Sequence, residues 1–425
     1  MKKIMLILAL FTCLVKPSCS TEHFNGPIAA DPSLPNDVIL EWNAIAYLAF
    51  GGEAYQHSPM ASRINAMTHL AMHDALNAIY PVYESYAFSG YDAKAHPMAA
   101  AASAAHTVLS QEIPDKKQFL DSAFQQSLST VPEGEAKEKG VELGKAAGQA
   151  ILDARSNDGA VGNPIGPVTP SNISGVYQTV PPFDFIFAPY WQDVKPFGLQ
   201  RKDQFRCLPY PSLDSDAYAE AFNEVKEVGK LESNSRTEDQ NDYSNFWYEF
   251  SETGWNRVAR TIVQIKKLGL METARLFALV DIAMADAYIA GWESKFYHNL
   301  WRPYTAIRNA HMDENDKTVE DLQWEPAMPT PPVQDYPSTP SALGNAAATV
   351  LSSIIGDNVP FSMSSPTALP GKSVRSFISF KQAADENADS RVKAGIHFRF
   401  ACDAGQELGD KVGQWVMEHH LKPLQ

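Results

Sequence analysis

Cysteine is scarce: the 425 residues contain four, and two of these, Cys13 and Cys19, fall within the first twenty. A disulfide-built scaffold is thereby excluded, and no close cysteine or histidine spacing offers a zinc site. The other two, Cys207 and Cys402, can pair only if the fold brings them together in an oxidising compartment. Positive charge is also short. With 35 Lys and Arg against 50 Asp and Glu, the net charge is −15 and the pI is near 5.2. That balance argues against nucleic acid as the main partner, although a local cationic pocket for a small anion remains compatible with it. Beyond the first twenty residues no apolar run is long enough to span a bilayer. Runs with strand alternation are few, and there is no internal repeat.

The leader has a recognisable composition. Lys2 and Lys3 precede the apolar run Ile4–Val15, and Ser18-Cys19-Ser20 follows. A charged start, a short apolar core and small residues at the end make residues 1–20 a secretory signal. Cys19 after a small residue also resembles a bacterial lipoprotein site, with Lys16 standing where an aliphatic residue is usual. A lipid anchor at Cys19 and release without one both stay open. The expected location is outside the cytoplasm: periplasmic, tethered to an outer membrane, or secreted.

The remaining chain reads as helical almost throughout, which predicts an all-α fold. Helical periodicity covers 36–50, 61–80, 97–110, 116–129 and 133–156, then 216–230, 254–268, 272–300, 339–355, 374–386 and 397–420. Between the two sets lies an irregular stretch, 157–200, punctuated by proline and carrying Phe183, Phe185, Phe187, Tyr190 and Trp191. So many aromatics predict a loop packed over the surface, over a cleft, rather than a flexible linker. The expected organisation is an N-terminal helical half, 21–200, and a C-terminal helical bundle, 201–425.

Three segments of the second half carry chemistry. In Lys295-Phe-Tyr-His-Asn-Leu-Trp-Arg302-Pro303, seven residues make nearly two helical turns, so a continuous helix puts both cations within roughly 20° of each other. Lys and Arg on a stripe ordinarily snorkel to solvent. In Asp335-Tyr-Pro-Ser338-Thr339-Pro340, Thr339 caps the next helix and Pro340 occupies its first position. That start offers free N–H groups, the Ser338 hydroxyl and the positive end of a helix dipole, hence an anion site. In Ser390-Arg391-Val-Lys-Ala-Gly395-Ile-His397, Gly395 is a break after which a helix begins near His397. Each segment alone has an ordinary structural explanation; a histidine leading an apolar stripe is usually core.

Taken together, in this order, they resemble the vanadium-dependent haloperoxidases and the acid phosphatases that share their fold. The family pattern is Lys-x6-Arg-Pro, then Pro-Ser-Gly-His, then Ser-Arg-x5-His. Trp292-x-x-Lys295 and Trp301-Arg302-Pro303 look like the chloroperoxidase branch, while Thr253–Arg260 and Arg63–Ala78 are similar to bacterial relatives. The resemblance covers most of residues 36–420 and implies two packed helical bundles. It implies vanadate as cofactor, or phosphate as ligand, with Lys295, Arg302 and Arg391 on the equatorial oxygens. Ser338 and the N–H of Thr339 complete the cradle. His397 is then the axial residue: the vanadium ligand of a peroxidase, or the covalent nucleophile of a phosphatase. Hydrogen peroxide and halide would be the small-molecule substrates.

The pattern departs at one point: the family's Gly-His is Thr339-Pro340, so the distal acid/base histidine is missing. On a continuous helix His298 lies within roughly 60° of both Lys295 and Arg302, which makes it the candidate replacement as a catalytic proton shuttle. His69 and His73, at helical i,i+4 spacing, read as helix packing for want of a third ligand, and Asp313–Asp316 reads as solvated loop. Three functions follow: a haloperoxidase, a phosphomonoesterase on the same fold, or an oxyanion-binding protein without turnover. Val333 stands where some chloroperoxidases carry an aromatic, which points to bromide or iodide rather than chloride. Relatives often pair helices across dimers, and the sequence leaves the oligomer open.

Overall fold

A computed structural model describes residues 34–52 and 57–424. Residues 1–20, read as a secretory signal and holding Cys13 and Cys19, lie outside them. Thirteen α-helices carry the described residues, with only two short two-stranded antiparallel ladders. The fold is all-α. Its first group is α1 (Asp37–Phe50), α2 (Ser58–Asn77), α3 (Pro97–Glu112), α4 (Lys117–Ser129) and α5 (Glu135–Arg155). The second is α6 (Asp216–Val228), α7 (Glu238–Phe246), α8 (Ser251–Lys266), α9 (Leu270–His298), α10 (Pro303–Arg308), α11 (Thr339–Ile355), α12 (Phe380–Lys393) and α13 (Arg399–His419).

Helix α9 is the spine. It is apolar around its whole circumference and buried from Leu270 to Lys295 almost without interruption, as a helix must be when other helices cover every side. It packs on α2 from the first group and on α11 and α13 from the second. Its last turn therefore delivers Lys295 deep inside the protein. No helix among the described residues is long and apolar enough to cross a membrane.

Several boundaries differ from the sequence reading, each for a local reason. A helix over 374–386 does not form. Val374–Phe377 pairs as a strand with Phe361–Ser364, and α12 begins only at Phe380, where the Ser379 hydroxyl accepts the Gln382 N–H. Helix α2 ends at Asn77, not at Pro81. The Asn77 side chain turns to the Tyr83 carbonyl, and the buried Asp74 carboxylate takes the N–H groups of Tyr86, Ala87 and Phe88. Helix α7 escaped the periodicity but has a complete capping box between Thr237 and Gln240. His69 and His73 are packed, His69 with Nδ1 2.6 Å from Asp281 Oδ2 and His73 beside Asp74. Among the described residues no His, Cys, Asp and Glu cluster could hold a metal ion. Cys207 and Cys402 are both free thiols.

The irregular stretch is fastened to the second group at both ends of one region. Val176 bridges Leu300, the Tyr177 N–H donates to the Asn299 carbonyl at 2.9 Å, and Trp301 N–H donates to Gly175 at 2.8 Å. Further on, Phe187 N–H donates to the Pro332 carbonyl at 2.7 Å. The segment is thus a roof pinned to the strands of chain that flank Arg302 and Ser338. Helix α13 fixes the floor. Gly405 lies so close beneath α11 that a Cβ there would sit 2.3 Å from the Ser338 carbonyl oxygen. Only glycine allows that approach.

Candidate functional site

Lys295 and Arg302 meet, but not on one helical stripe. Helix α9 stops at His298 because Asn299 adopts a left-handed conformation (φ 50°), and the chain runs extended to Arg302, the N-cap of α10. His298 is consequently turned elsewhere. Its Nε2 lies 2.9 Å from the Cys207 carbonyl, its ring meets Tyr210, Tyr297 and Tyr336 edge-on, and the charges acting on it are Arg206 and Glu293. The structure does not bring it to Lys295 and Arg302, which corrects the assignment drawn from a continuous helix.

Arg391, near the end of α12, and His397, just after the break at Gly395 (φ 78°), do join the other two. Exposure decides what kind of group this is: Lys295 1%, Arg302 1%, Arg391 4% and His397 2%. These cations are not snorkelling. One carboxylate shares the space, Asp335, with no exposure at all. Three cations face one carboxylate, an excess of two positive charges in a buried volume. Such an arrangement is strongly unfavourable unless an anion enters.

The hydrogen bonds show which donors are already committed. Lys295 Nζ donates to the carbonyls of Gln334, Asp335 and Pro337 at 2.7, 3.1 and 2.6 Å. Arg302 Nε donates to Val333 and its Nη1 to Ile396, both at 2.7 Å. Arg391 donates only to the Trp247 carbonyl, at 3.1 Å, with its guanidinium over the Tyr248 ring; its Nε is buried without a partner. Ser338, not Thr339, holds the N-cap position of α11, without a side-chain capping bond, so Thr339 is first and Pro340 second in the helix. The Ser338 oxygen accepts from the Ser341 hydroxyl at 2.8 Å, which leaves its own proton free. The Thr339 hydroxyl is buried and unpaired. Orphaned donors and surplus positive charge are what a tetrahedral oxyanion would satisfy, so the residues present fit vanadate or phosphate.

His397 is prepared as a ligand. Its Nδ1 lies 2.9 Å from Asp335 Oδ1, and its Nε2 lies 3.0 Å from Arg302 Nη1, a group that can only donate. Arg302 Nη1 lies nearer Nε2 than Nδ1, at 3.0 against 3.4 Å, which favours a lone pair on Nε2 and the proton on Nδ1 beside the Asp335 carboxylate, the tautomer a metal ligand or a nucleophile needs. Burial, together with Arg302, Lys295 and Arg391, pushes the imidazole well below its usual 6.5, which keeps it neutral. Burial likewise raises Asp335 to about 7, against the pull of Arg302 and Lys295. Asp335 was not singled out from the sequence. Its only signal there was a carboxylate inside a segment expected to hold an anion.

A stability test follows from the signs. Unfolded at pH 5, His397 would hold a proton and Asp335 none; folded, Asp335 holds it and His397 none. The pair carries one proton in either state, so it contributes little pH dependence between about pH 7 and 5. In Asp335→Asn only the histidine remains, with its folded pKa depressed. The unfolded chain then binds the extra proton below 6.5, and stability should fall by roughly 1–2 kcal/mol from about pH 7 to 5. Denaturant titrations at the two pH values check it; equal pH slopes for wild type and variant would contradict it.

A helical fold enclosing buried basic side chains around a histidine defines a class of site, and known proteins carry similar folds. The VCPO second helical-bundle domain matches residues 275–425, which hold every residue of the cradle. Vanadium chloroperoxidase of Curvularia inaequalis is 28% identical over 308 residues, 57% of this chain and half the length of that protein. The crystal structure of a bacterial vanadium-dependent iodoperoxidase superposes with a TM-score of 0.79 at 26% identity, over 92% of this chain and 98% of the other. An apo-type bacterial vanadium-dependent chloroperoxidase gives 0.70 at 16% identity, over 85% of this chain and 94% of that one, a likeness of fold alone. Residues 275–425 thus match a haloperoxidase-type helical bundle, and the likenesses over the rest of the chain support the vanadium-dependent haloperoxidase superfamily.

Proposed function

We propose that the protein is a vanadate-dependent haloperoxidase that oxidises bromide or iodide with hydrogen peroxide, its centre built by Lys295, Arg302, Ser338, Thr339, Arg391 and His397. The observation that carries this reading is the buried excess of basic side chains around His397, whose Nε2 lies 3.0 Å from the donor Arg302 Nη1. Vanadate, when bound, supplies the Lewis-acid centre at which peroxide is activated toward halide. The chain's own part is electrostatic and positional. Lys295, Arg302 and Arg391 neutralise the anion in a volume closed to water, where each charge acts at low dielectric. Ser338, Thr339 and the N-terminus of α11 add dipoles of the same sign. Asp335 lies beside Nδ1 of the imidazole, and Val333, itself buried and aliphatic, takes the Arg302 Nε–H at its carbonyl. The leader-like residues 1–20 place the enzyme outside the cytoplasm in this proposal.

A dye-halogenation assay with orthovanadate, peroxide and bromide or iodide tests it. Activity that requires vanadate is the expected result. Hydrolysis of an aryl phosphate, inhibited by vanadate and without halogenation, would select the phosphatase use of the same histidine. Tight vanadate binding with neither activity would reduce the protein to an oxyanion binder.

A further inference from the structure

The roof segment carries a buried polar atom that the cradle described above does not use. Tyr177 is 2% exposed, and its hydroxyl has no hydrogen-bond partner. The residue is not loosely placed. Its N–H is bonded to Asn299, its neighbour Val176 bridges Leu300, and Gly175 takes the Trp301 N–H. This short antiparallel pairing sets Tyr177 against the extended run that ends in Arg302. The one charge that acts on its phenol is the Arg302 guanidinium. An unpaired hydroxyl is unfavourable in a dry interior, and a fold that locks one in place beside a catalytic cation ordinarily has a ligand for it. In the first turn of α11, position 340 is a proline, with neither a side-chain donor nor a backbone N–H.

We propose that Tyr177 is a contact residue of the bound oxyanion: its O–H donates to an anion oxygen from the roof side, the hydrogen bond that Pro340 cannot make. This rests on the oxyanion reading of the pocket and adds a donor from outside the three motif segments. Burial raises the phenol to about 12, with Arg302 opposing, so it stays protonated and acts as a fixed donor throughout the working pH range. It holds a proton on the anion without giving it up readily.

Tyr177→Phe keeps the ring and removes only the oxygen. In the anion-free protein an orphan is deleted, so the melting temperature should be unchanged or higher. A structurally bonded tyrosine would instead lose stability. Orthovanadate affinity, followed by calorimetry or by the vanadate-induced rise in melting temperature, should weaken roughly 10–100-fold, the loss of one charge-assisted hydrogen bond. Equal vanadate affinity in wild type and Tyr177→Phe, or a lower anion-free melting temperature, would overturn the assignment of Tyr177 alone. A wild type that fails to bind vanadate would overturn the pocket reading and this one with it.

Discussion

Replacing His397 with alanine is expected to abolish vanadate-dependent halide oxidation, by a factor on the order of 10³ or more, while phosphate affinity falls by less than about tenfold. The asymmetry follows from how the site divides its work. A tetrahedral anion would be held by the cations and by the start of α11, of which only Arg302 touches the imidazole, with Nη1 3.0 Å from Nε2. The imidazole alone would supply a nitrogen ligand to bound vanadate, through Nε2. Asp335→Asn should behave differently. A carboxylate would repel an anion rather than bind it; this one lies 2.9 Å from His397 Nδ1, where it would position the ring. Loss of such a supporting partner costs roughly 10–100-fold, and the shape of the loss distinguishes the roles. In Asp335→Asn the histidine remains and vanadate should still elicit activity, whereas in His397→Ala no vanadate concentration restores it. If His397→Ala kept even a tenth of the wild-type turnover, the axial role would be untenable.

What could be read from the sequence was set by the range of each interaction. The helices were legible because their pattern is local: the stripe of α11 and the Ala- and Gly-rich face of α5 repeat within a few residues. The three motif segments were legible because charged residue types in an apolar setting are conspicuous. Where sequence reasoning extended one local rule past a boundary, it failed. Lys295 and Arg302 were set on one stripe by assuming an unbroken helix, and Asn299 in the left-handed conformation breaks it. The same break carried His298 away from the pocket. Helix 374–386 failed because strand Val374–Phe377 depends on its partner Phe361–Ser364, which no local window contains. Asp335 and Tyr177 are the sharper cases. Each owes its meaning to a contact made across the fold: one with an imidazole beyond α12, the other with the extended chain after α9. Neither contact leaves a spacing. The aromatic content of 157–200 did point to a packed segment rather than a linker, but not to the one residue in it whose hydroxyl would lie unpaired.

Arg391→Met is the test in which stability and function should move in opposite directions. Burial lowers the Arg391 guanidinium from 12.5 to about 10, with no carboxylate paired to it. A base whose folded pKa is depressed disfavours the fold at every pH below that value, so at neutral pH the penalty is present in full. A shift of that size corresponds to roughly 3 kcal/mol. Methionine fills similar volume with an apolar, flexible chain and forfeits one bond, to the Trp247 carbonyl. The anion-free variant should therefore be more stable by roughly 1–3 kcal/mol, as when buried charges elsewhere are replaced by apolar residues. Its vanadate affinity should fall by at least about 100-fold, because a forked donor and one of three neutralising charges are gone. Denaturant titration of the empty protein and calorimetry with vanadate read the two effects separately. A variant less stable when empty would mean that Arg391 is a structural cation already satisfied by its neighbours. A variant that is more stable and blind to vanadate would show that the fold keeps this charge, against its own stability, for an anion it does not contain.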